Sequence, residues 1–151
     1  MSTDQDESPL VHCIYASAAV KDFSKKELQT LLAKARRNNA RLQVTGMLLY
    51  HEQSFFQVLE GPEETINQLY QVIYNDKRHN RIIKLVQEPI QERAFDDWTM
   101  GYAKVSYREL QEIAGLNEFM SRRTSFLELK EGRARALLEA FKQGRWRQKL
   151  S

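Results

Sequence analysis

A single cysteine, Cys13, excludes an intramolecular disulfide and any cysteine cage for a metal. Histidine is nearly as scarce. His12, His51 and His79 stand without ligand spacing, so no metal site is expected. No apolar run approaches a membrane span, and the start, Met1 to Pro9, is polar and acidic, unlike a secretory leader. The expectation is a cytoplasmic chain with no membrane anchor. With three prolines and six glycines in 151 residues, there is no low-complexity linker, and no internal repeat is found. One domain, or one domain with a C-terminal extension, follows from that length.

Net charge is +3, too small for a whole-molecule field to argue for nucleic acid. The charge is unevenly placed, however. Residues 121–151 carry nine Lys and Arg against three acids (Glu128, Glu131, Glu139), so the tail is basic and the remainder slightly acidic.

The order of elements is legible from periodicity. "LVHCIYAS" (10–17) reads as a strand with Val11, Cys13 and Tyr15 on one face. Ser24 and Glu27 form a capping box that opens a helix to about Asn39. "LQVTGMLLY" (42–50) is apolar on both faces, as in a central strand, and the turn "HEQS" leads into "SFFQVLEGP" (54–62), giving a hairpin. Pro62 with Glu63 and Glu64 starts a second helix. "RIIKLVQEPI" (81–90) and "WTMGYAKV" (98–105) read as strands four and five. Capping boxes at Ser106–Glu109 and Ser125–Glu128 and a stripe of Ala134, Leu137, Leu138 and Phe141 predict further helices. The expected fold is α+β: a ferredoxin-like βαββαβ sandwich with a fifth strand and C-terminal helices on the other sheet face. Leu10, Ile14, Phe56 and Val58 should project to that face, covered by residues 106–146 or by a second chain.

Polar groups interrupt this core. Alternation puts Gln57 on the face of Phe55 and Leu59, where a buried amide without partners costs roughly 1–3 kcal/mol. The first helix stripe, Leu28, Leu31, Leu32 and Ala35, continues into Asn38 and Asn39. The second, Ile66, Leu69, Tyr70 and Ile73, continues into Asp76, with Arg78 and His79 beyond. Taken singly, each has an ordinary explanation: a helix C-cap for asparagine, a surface ion pair for Asp76 and Arg78, a wet hydroxyl for Tyr15. Together they describe a cleft for a flat ligand with a heteroatom rim.

The separated strings "IYAS", "RRNN", "FFQVLEG", "DKRH" and "WTM" then resemble, in order and on suitable elements, the BLUF family of blue-light sensors that use flavin. The resemblance covers about residues 10–105. It implies a flavin-binding photosensor domain at 8–105 and a helical extension for output or oligomerisation at 106–151. By resemblance Tyr15, Gln57, Trp98 and Met100 are the photoactive residues. Leu31 and Ile73 sandwich the ring, and Asn38 binds its pyrimidine edge. Asn39, Gln57, Asp76, Arg78 and His79 complete the cofactor contacts. Ala35 stands where some members carry serine. The cofactor implied is FAD, with FMN or riboflavin as alternatives. In the implied mechanism Tyr15 gives an electron and a proton, and Gln57 relays the proton and is left rotated or tautomerised. The flavin ends unchanged, so the protein is a switch and not an enzyme. Whether Trp98 or Met100 lies next to Gln57 is left open. Output would run through strand five and the C-terminal helices to a separate effector protein, from a homo-oligomer.

Two rival readings carry less. A flavin enzyme would want a dinucleotide Gly fingerprint or an activated nucleophile, and neither is present. A ferredoxin-like nucleic-acid-binding module would want an aromatic-rich sheet signature, which is absent, and Arg145-Trp146-Arg147 in the basic tail is too short to carry the case.

Overall fold

The computed structural model describes residues 9–77, 79–95, 99–112 and 126–143, with backbone alone for His79, Asn80 and Phe141. β1 (Leu10–Ala19) leads into α1 (Lys25–Leu42), β2 (Thr45–His51), β3 (Ser54–Pro62), α2 (Glu63–Tyr74), β4 (His79–Pro89) and β5 (Gly101–Lys104). A short α3 (Tyr107–Gln111), a 3-10 turn (Phe126–Glu128) and α4 (Glu131–Lys142) follow. The sheet order is β4-β1-β3-β2-β5. The first four strands pair antiparallel in the ferredoxin-like manner, and β5 joins β2 in parallel. This is the expected fold class.

Local chemistry sets the boundaries. Ser24 Oγ accepts from the Glu27 N–H at 3.1 Å while the Glu27 carboxylate accepts from the Ser24 N–H at 3.0 Å. Ser106 and Glu109 repeat the exchange, both bonds at 3.1 Å. The box expected at Ser125–Glu128 opens no helix: Ser125 lies outside the described residues, 126–128 is a 3-10 turn, and α4 begins at Glu131. α1 runs past its expected end near Asn39 to Leu42, and Gln43, not asparagine, takes the left-handed cap with φ 60°. Buried contacts of Asn39 outweigh its poor helix propensity. Strand two therefore begins at Thr45 rather than 42. Strand five shrinks from 98–105 to four residues, paired with Met47 to Tyr50 of β2. The hairpin turn places both Glu52 (φ 48°) and Gln53 (φ 55°) in left-handed backbone, the arrangement whose twist matches the flanking strands. At Gly46 a Cβ would lie 2.0 Å from the Val58 carbonyl oxygen, so β2 and β3 approach this closely only with glycine there.

Two cores form on the two faces. Under α1 and α2, Val11, Cys13, Tyr15, Phe55 and Leu59 pack against Leu28, Leu32, Ile66 and Tyr70. On the opposite face, Ile14, Met47, Leu49, Phe56 and Val58 lie beneath Leu110, Phe126, Ala134, Leu137 and Leu138. At about 1.5–3 kcal/mol for each large apolar side chain, this second layer is a substantial part of the fold. The chain's own C-terminal elements cover the face, so the need for a second chain there falls away.

Two polar fastenings tie the layers. Arg135 of α4 donates to both oxygens of Glu88 on β4 at 2.9 and 2.8 Å, and His12 Nε2 lies 2.8 Å from the same carboxylate. Hydrogen bonds from Arg135, with lesser help from His12, hold the Glu88 carboxyl at about 2. Glu60 on β3 is 1% exposed and accepts from the Ala94 N–H (2.6 Å), the Phe95 N–H (3.1 Å) and the Thr45 hydroxyl (2.9 Å). Arg93 adds bonds to Thr45 Oγ1 and to the Gln43 and Glu60 carbonyls. The chain leaving β4 is thereby stitched to the sheet.

Candidate functional site

A cavity of about 150 Å³ lies between α1, α2 and the sheet. Its floor is Tyr15 of β1, Leu48 of β2, and Phe55, Gln57 and Leu59 of β3. α1 contributes Leu31, Leu32, Ala35, Asn38 and Asn39; the α2 side contributes Leu69, Ile73 and Asp76; Met100 enters from the bend before β5. The solvent-exposed Lys34 and Val72 stand at its mouth.

Register explains the centre of the site. Tyr15 and Gln57 are direct cross-strand partners in the β1–β3 ladder, on the face that α1 and α2 cover. The Tyr15 hydroxyl donates to Gln57 Oε1, and Gln57 Nε2 donates to Met100 Sδ at 3.5 Å, a weak acceptor. Tyr15 is fully buried, and that burial first, then the neighbours Cys13, Tyr70 and Asp76, pushes its phenol well above the ordinary value. The phenol is therefore neutral.

The backbone that carries Met100 is pinned to α1. Asn39 Nδ2 donates to the Thr99 carbonyl at 2.6 Å, and Arg36 Nε to the Met100 carbonyl at 2.8 Å. Asn39, expected as a cofactor contact, thus spends its amide N–H on Thr99 while still lining the cavity.

The structure brings Tyr15, Leu31, Asn38, Asn39, Gln57, Ile73, Asp76 and Met100 into one cavity. Trp98 and Arg78 lie outside the described residues, as does the side chain of His79. Among the described residues, Met100 of the segment before β5 meets the Gln57 amide. Sequence reasoning missed Arg36, hidden in a basic run with no periodic signal, and the floor residue Leu48. The latter was findable from its place opposite Gln57 in the hairpin. Among the described residues no cluster of His, Cys, Asp or Glu could hold a metal, and no helix is long and apolar enough to cross a membrane.

The model of one protein family, BLUF, sensors of blue-light using FAD, matches residues 10–101. The chain belongs to the BLUF family. Photoactivated adenylate cyclase subunit beta of Euglena longa is 39% identical over 95 residues, 62% of this chain and 11% of that protein. The blue light- and temperature-regulated antirepressor BluF of Escherichia coli is 37% identical over 86 residues, 57% of this chain and 21% of that protein. This BLUF chain therefore spans about a tenth to a fifth of those relatives. Among solved structures, BlsA in its ground state superposes with a TM-score of 0.77 at 27% identity, covering 88% of this chain and 87% of that one. The dark-state BLUF protein BlrB gives 0.66 at 29% identity, covering 88% and 98%. The BLUF family is one of blue-light sensors.

Proposed function

We propose that this BLUF chain is a blue-light switch in which Tyr15 yields an electron and a proton and Gln57 stores the event as a changed hydrogen-bond pattern. The observation that carries the reading is the unbroken line from Tyr15 hydroxyl to Gln57 amide to Met100 sulfur across the cleft floor. The lining fits a flavin. Leu31 and Ile73 offer aliphatic walls to a flat ring, and Asn38 and Gln57 offer both donors and acceptors to its polar edge. When bound, a flavin supplies the blue absorption and, once excited, a strong one-electron oxidant. FAD is the flavin named for the family; FMN and riboflavin carry the same ring. Asp76, Arg78, His79 and the free edge of Asn39 are assigned the remaining contacts.

The chain's own part of the cycle is short. Gln57 Oε1 is the base in line for the Tyr15 proton. Returning that proton leaves the amide rotated or tautomerised, with donor and acceptor ends exchanged. Met100 loses its Nε2–H partner in that state, and the strain passes into β5. From there Val105 N–H donates to the Tyr50 carbonyl at 3.0 Å, and His51 Nδ1 bonds the Val105 carbonyl at 3.1 Å, so β5 leads into the second core. We assign the output to that surface and to residues 106–151, acting on a separate protein partner from a homo-oligomer.

The deciding measurement is spectral. Purified protein should be yellow, shift to the red under blue light and recover in darkness, and Tyr15→Phe should abolish the shift. Hydrogen exchange in 99–112 should differ between light and dark. A static spectrum sinks the switch, and unchanged exchange sinks the output route.

A further inference from the structure

We infer that Lys84 is a guard charge that keeps the oxidising equivalent formed at Tyr15 from escaping to the surface through Tyr70 and Tyr74. The inference rests on the switch reading and concerns residues that reading leaves idle. Tyr15 does not stand alone: the Tyr70 ring meets it edge-on with centroids 5.6 Å apart, and the Tyr74 ring lies 6.2 Å beyond Tyr70. Tyr15 is fully buried, Tyr70 is 8% exposed and Tyr74 is 56% exposed. Three phenols of one chemistry step from the cleft floor to solvent. An unbiased oxidising equivalent would run down this ladder, because the exposed phenol sheds its proton to water without a desolvation cost.

Lys84 stands on the path. It faces Tyr15 directly in the β1–β4 register, and its Nζ lies 4.5 Å from the Tyr70 ring centroid. An ammonium there attracts the electron-rich face of the neutral ring and repels the electron-poor ring that oxidation leaves. The charge is also held in place. Lys84 Nζ donates to Gln87 Oε1 at 2.8 Å, and Gln87 Nε2 donates to Asn67 Oδ1 on α2 at 2.7 Å. β4 thus presents the cation and α2 the ring, with a side-chain bridge fixing the two together.

Without the guard, Tyr70 would pass an electron to oxidised Tyr15, which regains its proton from Gln57. Tyr74 would re-reduce Tyr70 and release its own proton to water. The electron lost from Tyr15 goes on to dissolved dioxygen. Two Tyr74 phenoxyls from two molecules then join ring to ring, and the two electrons and two protons end in hydrogen peroxide.

The test holds flavin-loaded wild type, Lys84→Gln, Lys84→Arg and Lys84→Gln/Tyr70→Phe under continuous blue light in air, with dark controls. Dityrosine is measured by fluorescence and located by peptide mass spectrometry. Lys84→Gln should keep the red shift and accumulate Tyr74-linked dityrosine about two- to fivefold above wild type. Lys84→Arg and Lys84→Gln/Tyr70→Phe should stay at the wild-type level. Lys84→Gln indistinguishable from wild type, with its red shift intact, overturns the guard. Equal product with and without Tyr70 overturns the route. No red shift in any of the four proteins strikes the switch reading itself and the guard with it.

Discussion

Replacing Gln57 with leucine tests the hinge of the switch and its energetic cost in the same protein. The Tyr15 hydroxyl is fully buried and donates to Gln57 Oε1. In Gln57→Leu that hydroxyl keeps its burial and loses its acceptor, a loss of about 1–3 kcal/mol. Tyr15→Phe is the milder cut. It removes the hydroxyl itself and leaves Gln57 half-buried on the cleft, where water can serve the amide, at about 0–1 kcal/mol. Combining the two leaves no orphan, so the double variant should recover most of the Gln57→Leu loss, a coupling of about 1–2 kcal/mol. For a chain of this size each kcal/mol is roughly 2–4 °C in Tm. Urea and thermal unfolding of the flavin-free proteins read these values. Loaded Gln57→Leu should stay yellow and show no light-induced shift. Equal losses in the single variants, or an additive double variant, refute the orphaned-phenol argument; a normal shift removes Gln57 from the switch.

Asn38→Ala should weaken flavin retention by about 5- to 150-fold, since the ring edge loses a buried partner; unchanged occupancy after dialysis would move the site. Gly46→Ala sets a methyl against the Val58 carbonyl beside Gln57, and should cost roughly 3 kcal/mol or more, read as a fallen urea midpoint. Glu88 is held at about 2 against 4.5 for the free carboxyl, so its pairing is in full force above the higher value and is lost as pH falls toward the lower. With the carboxylate a third exposed, that contribution is on the order of 1 kcal/mol. Glu88→Gln should lose it at neutral pH and flatten stability across that acid window; midpoints that still track pH as in wild type would assign the effect elsewhere.

The sheet and its two faces were legible because period-two alternation around Gln57 leaves one choice of which residues meet the helices. The capping boxes at Ser24 and Ser106 were equally plain, being local. Asn38 and Asn39 misled at the helix end, since their propensity favours a stop. The contact that keeps α1 going is the Asn39 bond to Thr99, sixty residues away in sequence. The same distance hid Arg36. Met100 and Trp98 were inseparable by spacing, as residues two apart on a strand share a face; the bonds to Thr99 and Met100 hold the Met100 backbone beside Gln57, and Trp98 lies outside the described residues. Lys84 was visible as a charge in a strand, yet its place over Tyr70 needs the β1–β4 register.

The buried carboxyl of Glu60 turns the approach to β5 into a short tether. It stakes the backbone at Ala94 and Phe95, and Asn39 and Arg36 stake it again at Thr99 and Met100. Five residue steps from Phe95 to Met100 reach on the order of 17 Å when fully drawn out. Any stroke of Met100 is then a swing about a nearby pivot, not the release of a long loop. In the proposed switch, covalent reach would cap the throw, and a stroke that parted Thr99 and Met100 from α1 would reverse by remaking two bonds to carbonyl oxygens rather than by refolding a segment.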